Sequence, residues 1–207
     1  DFHRRYYHPC NSYIYLYGDM DVAEKLAWMD EAYLGKYEAI GLDSEIKLQK
    51  PFEKPIEVTH KYSISSTESE ENNTYLSYNM VVGNAADSQM AMAFEVLDYA
   101  LLSAPGAPLK QALLDVKAGK DVYGSYDDGI LQPYFTVIAK GSNPDRKEEF
   151  VSVIRQVLGD IVKNGIDKKA VEAGINYFEF RYREADFSSY PKGLMYGLQC
   201  LDSWIYD

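Results

Sequence analysis

Hydrophobic and polar positions change period several times along this chain, and each change marks an element. Ile56, Val58, His60, Tyr62 and Ile64 alternate with Glu57, Thr59, Lys61 and Ser63, the clearest amphipathic strand pattern in the sequence. Leu76, Tyr78, Met80 and Val82 mark another strand, after the acidic stretch SSTESEENN, which reads as a solvated loop. Near the start, Ser12, Ile14 and Leu16 alternate with Tyr13, Tyr15 and Tyr17 as a short half-buried strand, entered from a loop carrying Pro9 and Asn11 and ended by Gly18 and Asp19. Residues 122–126 and 131–140 read as a hairpin around a turn built on Asp127, Asp128 and Gly129. Pro133 has no backbone donor, so it belongs at an edge, at a bulge or among the first residues of its strand.

Helical spacing fills the remainder. Asp19 and Asp21 offer N-caps for a helix bearing Leu26, Met29, Tyr33 and Tyr37, running to Gly41. Asp87 caps a helix with Met90, Ala93, Phe94, Leu97 and Leu101 on one face, and PGAP at 105–108 stops it before a short helix over 109–116. Phe150, Val153, Ile154, Val157, Leu158 and Ile161 repeat with helical period between Pro144 and a C-capping Gly165. Asp167 caps a helix carrying Val171, Ile175, Phe178 and Tyr182, and Pro191 opens a last one with Leu194, Leu198, Leu201 and Ile205. The stretch GLDSEIKLQKPFEKP reads as a linker, which divides the chain into a strand-helix piece, 1–49, and a domain, 50–207. Antiparallel strands with helices on one face predict an α+β two-layer sandwich.

Composition narrows the function classes. The 207 residues, 46% of them apolar, suffice for a sizeable core. A formal charge of -11 without a basic stripe argues against nucleic-acid binding and against adhesion to an anionic membrane; the surplus acid reads first as a solubility feature, and beside that would suit basic peptides. No apolar run is long enough for a membrane span. Cys10 and Cys200 fit plain thiols in a reducing compartment better than a disulfide framework.

The opening run FHRRYYHPCNSYIYLYGD, continued by EAYLGKYEAI, resembles the zinc peptidases of the pitrilysin and insulinase superfamily, most specifically the presequence-protease branch. PGAPLKQALL at 105–114, DDGILQPYFTVIAKG at 127–141 and SSYPKGLMYGLQCLDSWIYD at 188–207 agree in order and spacing. His8, Pro9, Asn11, Gly18, Pro133 and Pro191 are signature positions of these runs, with structural roles expected. The resemblance implies a clamshell enzyme of four homologous domains closing on unfolded peptides inside a chamber. Residues 1–49 would end the catalytic-type domain. Residues 50–207 would form most of a second, non-catalytic domain serving as chamber wall and peptide-binding surface, with the other domains of the polypeptide as partners. A chain that opens inside a motif is expected to be a fragment; its compartment would be the cytoplasm in a bacterium and an organelle interior in a eukaryote.

Candidate chemistry is sparse. The family holds zinc through an inverted H-x-x-E-H helix motif, two imidazoles on one face with a water-activating glutamate between them, placed upstream of the FHRRYYHPCN run. His3, His8 and His60 supply no such pair, so zinc is expected in the parent enzyme and not in this chain, and no catalytic residue is assigned. His60 reads as a hydrogen-bonded core histidine, His8 as a loop anchor, and Asp127 with Asp128 as turn chemistry. Leu131 and Gln132 are the candidate substrate-facing residues, because an exposed strand edge grips a peptide by main-chain bonds. Two other readings stand beside this one: a structural or assembly module of a catalytically inactive member, and an autonomous metal enzyme using His3 and His8.

Overall fold

In the computed structural model, which describes residues 1–184 and 187–206, three strands form one antiparallel sheet. They are β1 (Thr74–Val81), β2 (Asp121–Asp127) and β3 (Tyr134–Ser142), in the order β1-β3-β2. The register builds rungs across the sheet: Leu76, Ala139 and Val122; Tyr78, Val137 and Gly124; Met80, Phe135 and Tyr126. Leu76, Val122, Phe135, Val137 and Ala139 of these rungs are buried, whereas the alternate positions Tyr75, Val81 and Tyr123 are exposed. The sheet therefore buries one face, as period-two patterning requires.

The helices, in chain order, are α1 (Phe2–Tyr6), α2 (Val22–Ala32), α3 (Ser88–Asp98), α4 (Pro108–Asp115), α5 (Lys147–Asn164), α6 (Lys168–Glu184) and α7 (Lys192–Trp204). α3 starts where the Asp87 carboxylate accepts from the Met90 N–H at 2.9 Å, and α5 ends at Gly165 in the left-handed region, φ 85°. α3 runs into a π-helical turn, Tyr99–Ser103, closed by the Ala104 N–H donating to the Tyr99 carbonyl at 2.7 Å. This wider turn points Leu101 and Leu102 inward beside Leu109 and Leu113 of α4 and Phe150 and Ile154 of α5, which completes the core. Leu102 reaches the sheet only because Gly124 has no Cβ: one there would overlap Leu102 Cδ1 and stand 2.8 Å from the Thr136 carbonyl oxygen. These layers are an α+β fold, as the hydrophobic pattern predicts.

Three expectations change. Residues 56–64 form no strand; Ile56, Val58 and Tyr62 are 59%, 68% and 52% exposed. Alternation supplies a face, but a strand also needs a partner for its N–H and C=O groups. This segment is held by side chains instead: Tyr62 Oη donates to the Asn73 carbonyl, and Glu57 pairs with Lys147 at 2.8 Å. Residues 12–17 are likewise outside the sheet and lie against α7 in reverse order. Tyr15 Oη donates to the Gly193 carbonyl at 2.8 Å, and Tyr13 faces Trp204 at 6.0 Å between centroids. A Cβ at Gly193 would overlap the Tyr17 ring and one at Gly197 the Tyr15 ring, so alternate strand positions meet glycines one helical turn apart. Finally, α2 stops at Ala32, not Gly41, because Tyr33 leaves the helical region (φ -137°) and its ring meets Tyr37 edge-on at 5.1 Å. Pro133 sits just before the first residue of β3, a central strand, so of its three allowed places it takes the strand entry.

Gly124→Ala is expected to destabilise the chain by about 1–3 kcal/mol through overpacking against Leu102. Urea unfolding checks this: the midpoint falls with the slope unchanged, and an unaltered midpoint would show that the Leu102 contact yields freely.

Candidate functional site

The two apolar faces that the sequence assigns to α3 and α6 meet without closing. Between them runs a groove of about 940 Å³, lined by Ala93, Val96 and Leu97 from one side and Val171, Ile175 and Phe178 from the other. α6 begins where Asp167 accepts from the Lys169 N–H at 2.9 Å. It touches α3 and the π-helical turn after it through Gly174, whose missing Cβ would stand 3.2 Å from both Val96 Cγ1 and Tyr99 Cδ1, and through Tyr177 stacked on Tyr99 at 5.0 Å. Such a volume lies within the range of ligand clefts.

The groove also carries the polar side chains Glu179, Tyr182 and Arg183. Tyr182 Oη donates to Glu95 Oε2 at 2.9 Å. Burial raises the Glu95 carboxyl above its ordinary value; the Asp128 charge adds to this, while Tyr182 and Arg181 partly offset it. Burial and then Glu95 push the Tyr182 hydroxyl up to about 12. Asp202 on α7 is raised by burial and then by Asp128 and Asp127. Tyr126, stacked on Phe94 at 5.4 Å, is raised by burial and then by Asp128, Glu95 and Asp87. The charges of the hairpin acids thus act on carboxyls from α3 and α7, disfavouring their ionisation. Beneath, Asp98 is raised by burial; its Oδ2 accepts from Ser103 at 3.3 Å while its buried Oδ1 has no hydrogen-bond partner.

The signature residues sit apart from these carboxyls. His8 Nδ1 accepts from the Cys10 N–H at 3.2 Å across the single turn Pro9–Asn11, and the Asn11 amide donates to the Tyr6 carbonyl at 3.0 Å. Gly18 takes φ 142° beyond the tyrosine segment, and Pro191 is the N-cap of α7. Leu131, Gln132 and Pro133 form the lead-in to β3. The Leu131 and Pro133 carbonyls accept from the Ala85 and Val82 N–H groups at 3.0 and 2.8 Å, and Pro133 is fully buried. The Gln132 amide is engaged with the backbone of Gln49. Sequence reasoning names the groove faces but does not connect Glu95 and Asp202 with Asp128, since only tertiary packing brings their charges together. The single available signal is that Glu95 and Asp202 each interrupt or flank an apolar stripe.

Among the described residues no group of three or more His, Cys, Asp or Glu side chains is placed to hold a metal ion. His3 stacks on Tyr7 at 4.2 Å and His8 meets Tyr37 edge-on at 5.3 Å. A zinc centre does not fit these residues, and no catalytic step is routed through them. No helix is long and apolar enough to cross a membrane among the described residues.

Raised carboxyls set the sign of pH dependence. Each of Glu95, Asp98 and Asp202 binds a proton more tightly folded than unfolded, so each favours the fold at low pH and loses that contribution as pH rises through its raised value. The exposed Glu57, lowered by Lys147, runs the opposite way and is screened by salt. Asp98→Asn is expected to raise the neutral-pH Tm, removing a desolvated charge for a gain of up to about 1 kcal/mol. Thermal melts should show this gain shrinking below the ordinary carboxylate range; a pH-independent shift would refute the electrostatic cause.

The family profile described as Peptidase M16 inactive domain matches residues 1–178. A Clostridium perfringens protein named Protein HypA is 46% identical over the whole chain, which covers 21% of that relative. Presequence protease 1, chloroplastic/mitochondrial, of Arabidopsis thaliana is 35% identical, again over the whole chain and 19% of its own length. The mitochondrial presequence protease of Danio rerio is 26% identical over 90% of the chain. The chain thus spans about a fifth of the length of these relatives. M16 is a family of zinc-dependent peptidases, and the chain belongs to it, in the portion described as the inactive domain.

Proposed function

We propose that this chain is a non-catalytic segment of a zinc-dependent metalloendopeptidase that degrades unfolded peptides in a closed chamber, and that it supplies chamber wall and a peptide-binding surface. The observation that carries this reading is the apolar groove between α3 and α6, with the carboxyls of Glu179 on its lining and of Glu95 bonded to its lining residue Tyr182. Apolar side chains of a flexible peptide enter the groove, and basic ones meet the carboxyls. Exposed apolar side chains elsewhere, including Trp28, Ile46, Leu48, Phe52 and Trp204, suit contact with other domains of the same polypeptide. Acidic charge disfavours nucleic acid and anionic membrane as partners. The compartment follows the parent: cytoplasm in a bacterium, organelle interior in a eukaryote. The description of the matching portion as inactive also fits a structural module of a member without catalysis; such a module has no need to bind peptide, which separates the two readings.

Fluorescence anisotropy of an unstructured peptide containing Lys and Leu tests this. Binding is expected to weaken with added salt and with falling pH as Glu95 and Asp202 take up protons. Ile175→Glu, at a half-exposed groove position, is expected to weaken binding about tenfold with the circular dichroism spectrum unchanged. No binding at low salt and neutral pH would overturn the proposal. The chain alone is expected to leave the peptide uncut, and chelator-sensitive cleavage by it would contradict the non-catalytic assignment.

A further inference from the structure

Gln132 does to the linker what a neighbouring strand would do. Its Oε1 accepts from the Gln49 N–H at 2.7 Å and its Nε2 donates to the Gln49 carbonyl at 3.3 Å, although the two residues lie far apart in sequence. A hydrogen-bonded pair in an antiparallel sheet makes the same two bonds, exchanging one N–H and one C=O on each side. Both bonds go to main-chain atoms, so the side chain of the bound residue is not read. The clamp is also rigidly mounted: the carbonyls on either side of Gln132 are tied to Ala85 and Val82, and Pro133 is locked in the core. Its occupant is not. Gln49 lies in a stretch where no helix or strand forms between Tyr37 and Asn73, and its neighbours Leu48 and Phe52 are 60% and 58% exposed.

We infer that the Gln132 amide is a backbone clamp for an extended peptide, and that Gln49 is its resident, displaceable occupant. The ligand is any unfolded segment with a free N–H and C=O on one residue. Ile130, 42% exposed, and the acids Asp127 and Asp128 lie just upstream to take apolar and basic neighbours of the clamped residue. The inference rests on the peptide-binding reading above and deepens it by naming where main-chain recognition occurs. It also assigns a competition: the linker segment around Gln49 leaves the clamp when peptide enters.

Amide hydrogen exchange of the 207-residue chain, read residue by residue by NMR, tests it. The probe is an unstructured Gly-Ser peptide with interspersed Lys and Leu. At saturation the Gln49 amide is expected to exchange several-fold faster. Gln132→Ala should produce that acceleration without peptide and weaken peptide binding several-fold; Gln132→Glu, which keeps an acceptor for the Gln49 N–H but loses the donor, should fall between. If peptide binds while Gln49 exchange is unchanged, or if Gln132→Ala binds peptide as the parent chain does, Gln132 is only a tether and the clamp is refuted while the peptide-binding reading stands. If no peptide binds the parent chain, both fall.

Discussion

The structure depends on β3 lying between β1 and β2 with one face turned to the helices. Phe135, Val137 and Ala139 of that strand are each almost fully buried, and the two outer strands add Leu76 and Val122 to the same layer. Everything that covers this face is fixed by it. The π-helical turn after α3 drops Leu102 onto Gly124, α4 and α5 close the remainder, and α6 then docks on α3 and the turn, not on the sheet. A helix held at second hand leaves a gap, and that gap is the groove.

The same arrangement explains the electrostatics. Asp127 ends β2 and Asp128 follows it, and Asp128 acts on both Glu95 and Asp202, which come from different helices. The Asp127 and Asp128 charges disfavour ionisation of Asp202, and the Asp128 charge that of Glu95. Surface ion pairs on this chain, such as Arg4 with Asp1 or Lys25 with Glu24, are exposed and contribute little by comparison. A pronounced pH response is therefore expected from Glu95, Asp98 and Asp202 and not from the general surface.

Much of the domain is legible in the sequence because its elements satisfy local rules. Asp87, Asp167, Pro144 and Gly165 punctuate helices where capping chemistry places them, and the apolar stripes of α3 and α6 identify the groove walls by spacing alone. The two misread strands share one cause. Residues 56–64 and 12–17 carry strand periodicity, but periodicity reports a two-faced segment and is silent on whether a partner strand is available. In one case Tyr62 and Glu57 make side-chain contacts, and in the other the tyrosines find Gly193 and Gly197 of α7. The link of Asp128 with Glu95 and Asp202 is illegible for a related reason: the three are distant in sequence and their charges come together only through packing. Gln132 is legible as a residue beside a strand but not as the partner of Gln49, since a side-chain amide imitating a strand leaves no periodic trace.

The proposal at the centre of this account is that this portion of an M16 peptidase, described as its inactive domain, binds unfolded peptide at the α3–α6 groove and at the lead-in of β3. Photo-crosslinking of an unstructured basic peptide to the chain, with the modified residues located by mass spectrometry, tests it most directly. Crosslinks are expected on the groove walls, on residues near the 127–132 turn and in the Gln132 region. Crosslinks confined to the exposed N-terminal segment or to the outer surface of α5 would contradict the proposal.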